Sequence, residues 1–122
     1  MPSKRQSPRT RRVADRIQVE LGEILTTKTE DPRLRTLTVT GAEVTRDLSV
    51  ARVWVWGRLS SEEEPQVLHA LERAAPYFRS LLAPRLKLRI VPALHFQMDH
   101  SIEAGARIEQ LLREIQEPPR DE

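Results

Sequence analysis

A chain of 122 residues is the size of one compact domain and too short for two ordinary ones. It has no cysteine, which excludes disulfides and thiolate zinc sites, and no apolar run approaches the ~20 residues of a membrane-spanning helix. The net charge of +2 is small but unevenly placed: Lys4, Arg5, Arg9, Arg11, Arg12 and Arg16 face Asp15 alone, residues 73–98 contain no acid, and residues 99–122 carry seven acids against three bases.

The opening residues are polar and basic with no apolar stretch behind them, which reads as a cytoplasmic protein rather than a secreted one. Residues 1–8 read as a basic flexible arm, 9–117 as a single domain and 118–122 as a disordered tail. From Arg9 to Thr27, Val13, Ile17, Leu21, Ile24 and Leu25 recur at threes and fours and predict an amphipathic helix. It must stop before Asp31-Pro32, because proline disfavours helical backbone in its predecessor, so Asp31-Pro32-Arg33 is expected to be a turn.

Two β-like runs follow, Leu37 to Val44 and Leu48 to Trp56, joined across Thr45-Arg46-Asp47 as a hairpin. In the second run Ala51, Val53 and Val55 suit packing under helices. Arg52, Trp54 and Trp56 then form a face that is either open to solvent or covered by another segment. Ser60 to Pro65 reads as a helix start, with a hydroxyl cap, acids at the positive helix end and proline in the first turn. Val67, Leu68, Leu71, Ala74 and Ala75 begin an apolar stripe that Tyr77, Phe78, Leu81 and Leu82 continue beyond Pro76. A mid-helix proline lacks an N–H and clashes with the preceding turn, so two helices meeting at a kink are expected, the second closed by Pro84.

Lys87 to Met98 predicts a third strand, with Leu88, Ile90, Leu94, Phe96 and Met98 on one face and Pro92 confining it to an edge or a bulge. A last helix is expected from Ser101, carrying Ile108, Leu111, Leu112 and Ile115 and ending at Pro118-Pro119. The order α-β-β-α-kink-α-β-α describes one α+β domain whose β-α-α-β centre is the unit of KH-like RNA-binding modules. The helix and strand ahead of that unit correspond to the type II arrangement.

Five motifs in order carry a further likeness. Arg12-Val13-Ala14, Asp31-Pro32-Arg33-Leu34, Thr45-Arg46-Asp47-Leu48, Arg79-Ser80-Leu81-Leu82 and Leu88-Arg89-Ile90-Val91-Pro92, with Leu94 and Phe96, resemble the succession in the ribosome-binding factor A family over about residues 9 to 116. The resemblance implies a KH-like type II fold and binding to the immature small ribosomal subunit. It also implies help in maturing the subunit's rRNA, particularly at the 5′ end of the precursor and notably in the cold. Like that family, the chain lacks the Gly-x-x-Gly loop with which a usual KH module grips backbone phosphates. Where the family has an Ala-x-Gly kink, this sequence has Ala74-Ala75-Pro76; proline enforces a bend but leaves no glycine backbone to approach RNA closely.

The candidate RNA contacts are Arg9, Arg11, Arg12 and Arg16 in the arm and first helix, Arg73, Arg79, Arg85, Lys87 and Arg89 in the acid-free stretch, and Arg33 and Arg46 in the turns. Trp54 and Trp56 are a candidate base-stacking platform, weighed against packing under the terminal helix or tail. The same face supports an alternative reading, a protein-interaction module that recruits another assembly factor. An enzyme finds no candidate: there is no phosphate-cradling glycine loop and no activated nucleophile. His95, Asp99 and His100 have no distal ligand pair to complete a metal site. The expected molecule is a monomer without cofactor or metal, and its partners are the small subunit, its rRNA and other assembly factors.

Overall fold

The computed structural model describes residues 7–101 and 109–113. Its elements are α1 (Pro8–Thr27), a single turn α2 (Pro32–Arg35), β1 (Thr38–Val44), β2 (Val50–Trp56), α3 (Glu63–Leu86) and β3 (Ala93–Met98). The three strands form one sheet in the order β1-β2-β3, with β1 and β2 antiparallel and β2 and β3 parallel. The chain is therefore α+β with helices on one face of the sheet, the arrangement expected of a KH-like type II domain.

α1 begins at Pro8, inside the stretch expected to be a flexible arm. The Ser7 hydroxyl accepts from Thr10 N–H at 3.3 Å, and Pro8 occupies the first turn, where its missing N–H costs nothing. Ala14, Ile17, Leu21, Ile24 and Leu25 are buried along one stripe. Asp31 caps α2 by accepting from Arg33 N–H at 2.9 Å, so the expected turn is one turn of helix.

α3 departs most from expectation. It is one uninterrupted helix of 24 residues that runs through both Pro76 and Pro84, rather than two separate helices of which the second is closed by Pro84. Its buried positions Val67, Leu71, Ala75, Phe78 and Leu82 continue one stripe across Pro76. Packing of that whole stripe onto the sheet outweighs the single backbone bond to Glu72 that proline removes. Its start matches expectation in chemistry: Ser60 and Glu63 form a capping box, with Glu63 N–H donating to the Ser60 hydroxyl at 3.2 Å and Ser60 N–H to the Glu63 carboxylate at 2.9 Å.

The third strand starts later than expected. Lys87 ends α3 in the left-handed region at φ 53°, residues 88–92 are irregular, and β3 begins only at Ala93. The expected faces fail there: Ile90 is 71% exposed, whereas Val91 and Pro92 are buried. From Leu94 onward the alternation holds, with Leu94 and Phe96 buried beneath α3. The outer edge of β3 is closed by α3, whose Glu72 carboxylate accepts from Phe96 N–H at 3.1 Å.

The inner sheet face, with Val39, Ala42, Val44, Ala51, Val53 and Val55, joins the helix stripes in one hydrophobic cluster. In β1 the register shifts between Val39 and Gly41, and the extra Thr40 donates its hydroxyl to Asp99 at 2.7 Å. Of the expected terminal helix, residues 109–113 are helical with Leu111 and Leu112 exposed; Ile108, Ile115, residues 1–6 of the arm and the tail at 118–122 lie outside the described residues.

Candidate nucleic-acid interface

β2 and β3 are parallel and α3 crosses between them, so α3 runs back against the strands and its C-terminus lies at the end where β2 and β3 begin. α1 runs antiparallel to α3: Arg16 Nη2 donates to the Arg85 carbonyl at 3.3 Å, whereas the Tyr77 hydroxyl, two turns earlier in α3, donates to the Lys28 carbonyl at 3.3 Å. The β1–β2 turn reaches the same end, since Ala93 N–H donates to the Ser49 carbonyl at 2.9 Å. The end of α3, the 87–92 segment and the hairpin turn thus share one end of the fold, toward which the N-terminal half of α1 points.

Arg46, Arg85, Lys87 and Arg89 lie on the segments at that end, and Arg9, Arg11, Arg12 and Arg16 lie on the half of α1 that points toward it. They divide by partner. Arg85 is held between Glu20 at 3.3 Å and Glu23 at 3.2 Å, and Arg16 pairs with Glu20 at 3.2 Å, so these two tie α1 to α3. Arg9, Arg11, Arg12, Arg46, Lys87 and Arg89 are exposed and have no ion pair among the described residues. The acid nearest in sequence to Arg46 is already engaged: Asp47 accepts from the Thr45 and Ser49 hydroxyls at 2.8 and 2.7 Å. Those hydrogen bonds, the Ser49 hydroxyl foremost, hold its carboxyl below the ordinary value. They also pin a turn in which Leu48 takes a positive φ of 60°.

Three expected contacts are placed elsewhere. Arg79 is half-buried, and its Nη2 donates to the Val91 carbonyl at 2.7 Å, so it anchors the 87–92 segment from beneath. Arg33 is forked onto Asp31, with Nε at 3.2 Å and Nη2 at 2.9 Å, which depresses the Asp31 carboxyl. Arg73 sits at the opposite end of the helix pair, where Lys28, Arg33, Arg73, Ala74 and Tyr77 line an open cleft of about 560 Å³. Ala74 opens the expected kink segment Ala74-Ala75-Pro76 and Tyr77 follows it; Ala75 is buried in the core and Pro76 is exposed. Neither Lys28 nor Tyr77 was singled out from sequence, where a lone lysine at a helix end and an aromatic on an apolar stripe carry no signal.

Of the expected stacking pair, Trp54 is only 7% exposed although it stands on the sheet face opposite the core, which leaves little of its ring for a base, and Trp56 is half-buried. In register, Trp54 lies between Gly41 of β1 and Gln97 of β3. For the protein-interaction reading, the same face offers exposed Arg52 and half-buried Trp56. Among the described residues no group of three His, Cys, Asp or Glu side chains could hold a metal ion, and no helix is long and apolar enough to cross a membrane.

The sequence model of the ribosome-binding factor A family matches residues 9–112. The chain belongs to this family. It is 44% identical over 119 residues to ribosome-binding factor A of Alkalilimnicola ehrlichii, covering 97% of this chain and 92% of that protein. The crystal structure of ribosome-binding factor A from Thermus thermophilus superposes with a TM-score of 0.64 at 31% identity, covering 73% of this chain and 94% of the other. Coordinates of the Thermus thermophilus factor fitted into a cryo-EM map of a complex with the 30S subunit match with a TM-score of 0.60 at 32% identity, covering 71% and 91%. The helix α3 runs through Ala74-Ala75-Pro76 as one element.

Proposed function

We propose that this protein binds the immature small ribosomal subunit through its basic end and promotes maturation of the subunit's rRNA, including processing at the 5′ end of the precursor and notably in the cold. The observation that carries the reading is the set of exposed cations, Arg9, Arg11, Arg12, Arg46, Lys87 and Arg89, on three segments directed toward one end of the fold. Each arginine or lysine that neutralises a phosphate releases condensed counterions, so a handful of such contacts gives strong, salt-dependent affinity without reading base sequence. The Thermus thermophilus relative fitted into a map of a 30S complex supports the choice of partner.

The action is that of a non-catalytic factor in the cytoplasm. Binding energy alone biases the rRNA toward a conformation that processing enzymes and other assembly factors accept. Sedimentation of the full chain with free small subunits through a gradient tests the partner. Co-migration at low salt that fades as salt rises is expected, and absence of co-migration at low salt overturns the reading. Accumulation of 5′-extended precursor rRNA in depleted cells, stronger in the cold, is the matching expectation in vivo; normal processing without the protein overturns the maturation role.

A further inference from the structure

The basic end leaves unexplained the cleft at the other end of the helix pair. Its walls are the end of α1 with the 28–31 segment, α2, and the middle of α3. About 560 Å³ lies within the ~300–1,000 Å³ of small-ligand sites. The walls are held in place. The Tyr77 hydroxyl donates to the Lys28 carbonyl at 3.3 Å, Arg35 Nε donates to the Thr29 carbonyl at 2.8 Å, and the buried Thr29 hydroxyl donates to the Leu25 carbonyl at 2.8 Å. Tyr77, with its hydroxyl tied down, keeps 48% of its surface exposed as one wall.

The charges in the lining are similarly sorted. Arg33 and Asp31 satisfy each other, whereas Lys28 and Arg73 are exposed cations with no ion pair among the described residues. Glu30 is the remaining carboxylate in the lining, and it can accept from a base amino group. A fixed aromatic wall, two free cations and one acceptor match a nucleotide unit: a base with a π-face, a phosphate and an N–H edge.

We propose that this cleft holds one unstacked nucleotide of a single-stranded RNA, its base against Tyr77 and its phosphate on Lys28 and Arg73. The inference rests on the RNA-binding reading above and deepens it. A helix of 20 residues is about 30 Å long, so the cleft and the basic end are two separate footholds at opposite ends of α1, and a strand of several nucleotides is needed to touch both.

Backbone amide shifts of the full chain titrated with guanosine 5′-monophosphate, inorganic phosphate and a single-stranded pentaribonucleotide test the proposal. Saturable shifts are expected at Lys28–Leu34 and Ala70–Phe78 with the pentaribonucleotide, and weaker ones, by tenfold or more, with the mononucleotide. Lys28→Ala with Arg73→Ala should weaken them at least tenfold, and Tyr77→Ala likewise, whereas Tyr77→Phe keeps the ring and should retain most of the binding. Equal response to inorganic phosphate shows a bare anion site and overturns the proposal; a mononucleotide as tight as the pentaribonucleotide shows a free-nucleotide site and overturns it too. Absence of shifts at the cleft while the protein still co-sediments with small subunits removes the cleft alone. Cleft shifts without co-sedimentation leave the cleft standing and remove the ribosomal reading.

Discussion

Lys87 carries two opposed demands. At the end of α3 it takes a left-handed conformation at φ 53°, which costs a residue with a Cβ about 1 kcal/mol and which glycine adopts freely, yet its exposed ammonium belongs to the basic end. Lys87→Gly should therefore raise stability to urea by about 0.5–1 kcal/mol while weakening small-subunit binding, so that stability and affinity move in opposite directions. Asp47 and Asp99 show the same logic for acids. Hydroxyl hydrogen bonds, from Ser49 and Thr45 to Asp47 and from Ser101 and Thr40 to Asp99, lower both carboxyls below their ordinary value of 3.8. A depressed carboxyl stabilises the fold above its unfolded-state value and loses that contribution as pH falls through the folded one. Thermal stability should thus decline as pH drops below about 4, and Asp47→Asn should lower stability at neutral pH and flatten that acid limb. Melting temperatures from pH 7 to pH 2 read both effects.

At the scale of elements, α3 decides how the helical layer sits on the sheet. Pro76 leaves the Glu72 carbonyl without its helical partner, yet the buried stripe from Val67 to Leu82 continues past it. Pro76 is exposed, so Pro76→Ala restores the bond without disturbing the core and should stabilise the protein by about 1 kcal/mol in denaturant unfolding. A fall in stability would show that the proline geometry is itself needed by the packing. Inside the same helix Phe78 is fully buried and meets Phe96 edge-on at 6.2 Å. Phe78→Ala should cost about 3–5 kcal/mol, a large part of the ~5–15 kcal/mol of an ordinary domain, and should lower the urea midpoint followed by far-ultraviolet circular dichroism.

For the whole molecule, the antiparallel pairing of α1 and α3 separates two functions along one axis. The network of Arg16, Glu20, Arg85 and Glu23 clamps the helices next to the basic end, and Tyr77 with Lys28 links them next to the cleft. Replacing Arg9, Arg12 and Arg89 together by alanine removes exposed cations that have no internal partner among the described residues, so stability should change by less than about 0.5 kcal/mol. Binding to small subunits should weaken, and if each side chain meets one phosphate the slope of log affinity against log salt should fall by about 2–3. An unchanged slope would place the RNA contact elsewhere.

Much of this was legible in the linear chain. Periods of three to four and of two located α1, β1 and β2, because each element must turn one face to the core, and five short motifs pointed to the ribosome-binding factor A family. Charge counting found the arginines at the basic end. It did not distinguish Arg9, Arg12 and Arg89, which are free to meet a polyanion, from Arg79 and Arg85, which bind the protein to itself, because partners such as Val91 and Glu20 are set by packing rather than by sequence neighbourhood. Local propensity likewise broke α3 at Pro76, where burial of the entire stripe keeps it whole. Composition and periodicity by themselves determined an α+β fold with a basic N-terminal stretch. Only the tertiary structure decided which cations are available, that Trp54 is covered, and that the end of α1 and the middle of α3 enclose a cleft, since each of these depends on contacts between residues far apart in the chain.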